Sequence, residues 1–363
     1  LLAGTLALGA CANDSEAPSA STPSPAPTAP PTPTPAPAPA PEAAQPVPEA
    51  ETPSAEASPQ AEVLDPLVAR VFERMRPRWS EVLDDPKRFR LQLLLTTVEE
   101  QDEGPPKLVE HAYRVDAEYV YPASAIKTFA SVAALHTLEQ LRAEHGKRIS
   151  IDSPLAFCSG RGKHCMRTED ESNLEGGVIT LGHEIRKMQL VSNNTAFNRL
   201  VQFTGLDELH AILKAMGFED VRVFHPLWVS SARSEEGLSP GVTITPTRGK
   251  KVRIPPRDRQ NMPAPLDLPE MKIGVAYIDD DKQRVDEPMD FSVKNWVGLR
   301  DYHRLTQAIV LPEHPDTPKL GLDAKHLKFL RQAMSEDPLA SENPAYDDEK
   351  KSELRYKTML EGV

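Results

Sequence analysis

The stretch Tyr121-Pro122-Ala123-Ser124-Ala125-Ile126-Lys127-Thr128-Phe129-Ala130 decides how the rest of this 363-residue chain is read. It joins an extended segment to the head of a helix. From Ala125 to Glu144 the residues Ile126, Phe129, Val132, Ala133, Leu135, Leu138 and Leu141 recur at helical spacing, which predicts a buried helix. Ser124 and Lys127 fall one turn apart on one face. A serine hydroxyl is a weak nucleophile, and an amine three residues along can take its proton, provided burial or a second cation lowers the lysine pKa. The helix N-terminus adds partial positive charge and free backbone N–H groups beside any oxyanion formed there.

A second motif, Ser192-Asn193-Asn194, lies in the run from Leu190 to Leu200. Ser-x-x-Lys followed by a Ser-x-Asn triplet resembles the active-site serine, penicillin-recognising enzymes, whose set is Ser-x-x-Lys, Ser-Asp-Asn and Lys-Thr-Gly. The likeness is nearest to class A β-lactamases and the β-lactamase-like serine hydrolases around them. It runs from about Arg88 to Met216, taking in Ile151-Asp152-Ser153-Pro154-Leu155 after the first helix and Thr195, Ala196 and Asn198 after the second motif.

The resemblance implies an α/β (α+β) fold of β-lactamase/transpeptidase type: an antiparallel sheet flanked by helices, plus an all-helical subdomain forming one wall of the cleft. It implies Ser124 as nucleophile, Lys127 as its base and Ser192 as proton relay to the leaving nitrogen. Asn194 would bind the substrate's acylamino carbonyl. Asn193 stands where the family usually has Asp, a position that points away from substrate. No cofactor and no metal are implied. The substrate is a small-molecule β-lactam or a peptidoglycan stem peptide, and the protein is expected to be a monomer.

The chain opens on Leu1 to Ala10, an apolar run ending in Leu8-Gly9-Ala10 before Cys11. This reads as the end of a signal peptide with a lipobox, residues 1–11, in which Cys11 takes a lipid; an ordinary secretory signal is the alternative. Residues 12–60 are rich in Ala, Pro, Thr, Ser and Glu and carry almost no large apolar side chain. Such composition cannot offset its ordering entropy, so a disordered tether is expected, spanning tens of ångströms at about 3 Å per extended residue. The protein is thus expected at the bacterial cell envelope, in the periplasm or on the outer membrane, held by a lipid. Residues 61–363 suffice for a large core. A net charge of -12 and the lack of a basic stripe argue against a nucleic-acid partner; the short basic group from Arg248 to Arg259 reads as a solvated loop.

Apolar spacing predicts helices over Asp65–Trp79, Ile179–Leu190, Thr195–Phe203, Leu206–Met216, Asn295–Val310 and Asp323–Met334. Arg88–Val98 and Lys107–Tyr121 read as a strand and its return. Cys158 and Cys165 close a Gly-rich loop, and in an oxidising envelope they are expected to form a disulfide. A zinc site with His164 competes, but the spacing is poor and a fourth ligand is lacking.

Two departures from the family stand out. The Glu-x-x-Leu-Asn pattern that would activate water for deacylation is missing; Glu235 and Glu236 are the nearest acids, and a solvated loop also explains them. Tyr356-Lys357-Thr358-Met359 has Met where the third motif needs glycine for close backbone approach, in a stretch that reads as helix. The third motif is therefore expected beyond Val363. The function expected is a serine hydrolase that opens β-lactam amides, with consequences for antibiotic resistance. The alternatives are a D-alanyl-D-alanine peptidase of penicillin-binding type and a non-catalytic cell-wall-binding lipoprotein.

Overall fold

The computed structural model describes residues 64–159, 164–165, 169–227, 238–261, 263–279 and 281–346. Cys11, the 12–60 segment, Glu235, Glu236 and the Tyr356 to Met359 run lie outside them. No helix among the described residues is long and apolar enough to cross a membrane.

Helix α1 (Pro66–Asp84) starts where Asp65 accepts hydrogen bonds from the backbone N–H groups of Leu67 and Val68, with Pro66 needing no partner for its nitrogen. It runs past the expected end at Trp79, whose own backbone is non-helical. Strands β1 (Leu93–Glu99) and β2 (Lys107–Tyr113) form an antiparallel hairpin with Leu93 opposite Tyr113. The returning strand was expected to reach Tyr121. It stops at Tyr113, because Arg114 and Asp116 turn into positive φ (50° and 66°), which breaks the ladder. Phe72 of α1 meets Tyr113 edge-on at 4.8 Å.

Helix α2 (Lys127–His145) is the centre of the core. Its residues Phe129, Val132, Ala133, Ala134 and Leu135 are all 0% exposed, and it is wrapped on every side rather than on one stripe. Around it pack α3 (Leu181–Val191), α4 (Asn194–Thr204) and α5 (Leu206–Ala215). Thr180 caps α3, its side chain accepting from the His183 N–H.

Strand β3 (Leu155–Ser159) lies between β4 (His164–Cys165) and a later strand, β6 (Val242–Ile244), which pairs in turn with β7 (Val252–Ile254). Short strands β5 (Leu238–Ser239) and β8 (Arg257–Asp258) pair with each other. Two-residue strands β9 (Lys272–Ile273), β10 (Tyr277–Ile278), β11 (Arg284–Val285) and β12 (Met289–Asp290) make two small hairpin pairs, β9 with β12 and β10 with β11.

Helices α6 (Leu299–Val310) and α7 (Ala324–Ser335) close the described chain, the latter capped by Asp323. Gln307 and His303 of α6 both reach the Thr96 hydroxyl of β1, at 3.0 and 2.6 Å. The expected helix start at Asn295 is wrong. Asn295 is fully buried and its amide serves the backbone of Phe224 and His225, while Trp296 pairs with Arg222.

The result is a mixed fold of helices and antiparallel strands. In place of one expected sheet, the described strands form several: the β1–β2 hairpin and the β4-β3-β6-β7 sheet are separate.

Candidate active site

Ser124 is not yet in the α-helix. It lies in a 3₁₀ turn, Ala123–Ile126, that feeds α2, and it is exposed. Ala123 immediately before it has φ 44°, a left-handed backbone unfavourable for any residue with a Cβ. Ile126, at 0% exposure, anchors the turn in the core. The next residue, Lys127, opens α2 and donates its backbone N–H to the Ser124 carbonyl.

Lys127 is 3% exposed, rare for a lysine without partners. Its amine donates to the Ser192 hydroxyl at 2.9 Å, to the Asn194 side-chain carbonyl at 2.7 Å, and to the Ser192 backbone carbonyl. The structure thus brings Lys127, Ser192 and Asn194 into one hydrogen-bonded group, with exposed Ser124 one turn before the lysine.

The second motif owes its shape to two helix ends. Ser192 terminates α3 in the left-handed conformation (φ 56°, ψ 37°), its N–H still bonded to Met188 at 3.0 Å. Asn193 then caps α4, its side-chain oxygen accepting from the Ala196 N–H at 2.8 Å. Ser192 and Asn194 flank this cap and both turn to Lys127. The cap explains how an asparagine serves in the middle position, since amide and carboxylate oxygens accept equally there.

A buried charge network, missed in the sequence, fastens the two helices that carry the motif. Arg199 of α4 bridges Asp170 at 3.3 Å and Glu184 of α3 at 3.1 Å, while Lys187 of α3 meets Asp170 at 2.5 Å. Burial acts to raise the Asp170 carboxyl, but Lys187 and Ser172 outweigh it and hold the group well below the usual carboxylate range. Glu184, 1% exposed, is pushed up by burial, with Arg199 opposing. His183 is depressed to about 4 by burial. The spacing of Glu184 and Lys187, three apart on one helix, was the one sequence trace of this network. Gln189 also ties α3 to α2 through buried Ser131, at 3.1 Å.

Asn198 joins α4 to the next segment through a reciprocal pair with Leu227, at 2.8 and 2.9 Å. That segment is also gripped by Arg259, which donates to the carbonyls of Phe224 and Val223. Cys158 is disulfide-bonded, and its backbone stands opposite that of Cys165 in the β3–β4 ladder. Among the described residues one group, Glu139, Asp323 and His326, has metal-ligand spacing. Arg142 already reaches all three, at 3.7, 3.3 and 3.2 Å, so a fixed cation supplies the charge a metal would bring.

Residues 109–262 match the model of the beta-lactamase enzyme family. The matched stretch takes in Ser124, Lys127, Ser192 and Asn194, and it supports a serine hydrolase family of β-lactamase/transpeptidase type. No curated protein matches the chain.

Proposed function

We propose that this protein is a serine acyl-transfer enzyme of β-lactamase type, opening β-lactam amides through a covalent intermediate on Ser124. The observation that carries the reading is the buried Lys127 amine, hydrogen-bonded to Ser192 and Asn194 one turn below an exposed serine. In this reading Lys127 acts as the neutral amine, donating two hydrogen bonds and taking the Ser124 proton on its lone pair as the oxygen attacks the amide carbonyl, forming the C–O bond. The Ser192 hydroxyl, 2.9 Å from the amine, gives its proton to the departing nitrogen as the C–N bond breaks and takes in its place the proton that Lys127 gained from Ser124. The Asn194 amide orients the substrate's acylamino group while its oxygen stays on Lys127.

The test is intact-protein mass after exposure to a penicillin. A one-to-one adduct that maps to Ser124 and is lost in Ser124→Ala supports the reading; a folded protein that gains no mass sinks it.

A second reading, a D-alanyl-D-alanine peptidase of penicillin-binding type, draws on the sequence after the second motif. Glu235 is followed by Leu238, but Ser239 stands where the water-activating pattern has Asn. An acyl-enzyme without an efficient base for water is long-lived. An adduct that persists, together with release of D-alanine from a stem pentapeptide, selects this reading over rapid β-lactam turnover. Attachment to the envelope through Cys11 belongs to the same proposal, and a palmitate-labelling experiment comparing Cys11→Ser tests it.

A further inference from the structure

A second, smaller hydrophobic cluster lies apart from the main core. Tyr119 (0% exposed), Leu266 and Trp296 form its centre, and Tyr121, Leu268, Met271, Ile273 and Phe291 pack against it half-buried. Its members come from two places only: the run-in to Ser124, and the segment from Leu266 to Trp296. The two are sewn together. The Tyr119 N–H donates to the Pro269 carbonyl at 3.0 Å, and Arg90 donates both to the Tyr119 carbonyl and to that of Glu270. The segment closes on itself through Leu266 N–H to Ser292 and Phe291 N–H to Met271.

Phe291 is the hinge of this arrangement. Its ring centre is 5.5 Å from that of Tyr119 and 5.3 Å from that of Tyr121, tilted against both. Tyr121 precedes Ser124 by three residues, a reach of at most about 11 Å along the chain. Tyr121, half-buried, thus lies within that reach of the exposed serine, and Phe291 packs on its ring. Asp290 and Ser292, on either side of Phe291, line an open surface hollow of about 400 Å³ together with Arg90, Leu268, Glu270, Met271 and Lys272; the ring pair itself does not line it.

We propose that Phe291, with Tyr121, forms a substrate-binding wall near Ser124, in which the ring pair receives an apolar, aryl-bearing side arm of the acyl donor. The inference rests on the reading of Ser124 as nucleophile and adds a selectivity to it. Among the described residues, the hydrogen bonds that join Lys127, Ser192 and Asn194 run between α2 and the α3–α4 junction. What the segment supplies is ring faces, which bind aryl groups by offset or edge contacts and discriminate poorly among charged ones.

The experiment compares two β-lactams on the full chain, benzylpenicillin with its aryl arm and 6-aminopenicillanic acid without one. Acylation rates are read by intact mass for wild type, Phe291→Ala and Phe291→Leu. The leucine variant keeps apolar volume in the cluster and removes the ring, so it serves if the alanine variant does not fold. The expected result is that the preference for benzylpenicillin falls roughly three- to tenfold in either variant, the fold-change of one aromatic contact. An unchanged preference in a folded variant overturns the proposal while leaving Ser124 as nucleophile. If wild type is acylated by neither compound, the reading of Ser124 falls and this wall falls with it.

Discussion

Replacing Asn193 separates the shape of the second motif from its chemistry. The side-chain oxygen accepts from Ala196 N–H at 2.8 Å and satisfies one of the N–H groups that α4 leaves open at its start. Removing such a cap costs about 1 kcal/mol, so Asn193→Ala is expected to lose that much. In a domain of this size the loss lowers the melting temperature by roughly 2–4 °C. Asn193→Asp keeps the acceptor and places a negative charge at the positive helix end, worth about 0.3–1 kcal/mol. That gain exists only while the carboxyl is ionised, so it is present near neutral pH and disappears as the pH falls through the carboxyl's pKa. Because the Asn193 oxygen faces Ala196 rather than Lys127, the aspartate variant is expected to be acylated by a penicillin as wild type is. Urea denaturation at pH 7 and pH 3.5, with acylation followed by mass, measures both effects. An aspartate variant less stable than wild type at pH 7, or an alanine variant indistinguishable from it, refutes the assignment of this side chain as a cap.

Lys127→Met is expected to slow acylation of Ser124 by about 10²–10⁴, the range of a lost general base; a rate within tenfold of wild type would remove the lysine from its role. Gly205, at φ 89°, has no room for a Cβ: an added methyl would sit 2.9 Å from the Arg257 guanidinium, which holds the carbonyls of Gln202, Phe203 and Thr204. Gly205→Ala combines backbone strain with loss of those charged hydrogen bonds, an expected cost on the order of 3 kcal/mol by urea denaturation, and a cost below 1 kcal/mol contradicts the geometry. His183 and His210 are both depressed to about 4, each by burial first, and His210 accepts the Val223 N–H on Nε2 at 3.0 Å. The unfolded chain therefore binds protons below about pH 6.5 that the folded chain refuses until about pH 4, so stability is expected to fall as pH drops through that window. His183→Gln should flatten the decline measured by thermal denaturation across pH 4–6.5.

The helices were legible where the apolar face is periodic, as in α3 and α7, whose starts the structure shows capped by Thr180 and Asp323. Ser124, Lys127, Ser192 and Asn194 were legible as motifs, although only coordinates reveal the hydrogen bonds from the lysine amine. What failed has physical causes. The end of β2 depends on Arg114 and Asp116 adopting positive φ, for which neither residue type gives a strong signal. The start of α6 moved to Leu299 because Asn295 is committed to the backbone of Phe224 and His225, some 70 residues earlier. Pairing of β3 with β6 joins residues far apart in the chain, and such partners are chosen by packing rather than local preference. The Asp170–Arg199–Glu184 network is of the same kind.

The left-handed backbone at Ser192 carries an evolutionary consequence. Glycine adopts that conformation without strain, so a serine-to-glycine change would relax the turn while erasing the hydroxyl. Folding and reactivity thus pull in opposite directions at this one residue. A descendant released from selection for turnover could shed this hydroxyl in a single step and emerge sturdier and outwardly the same shape.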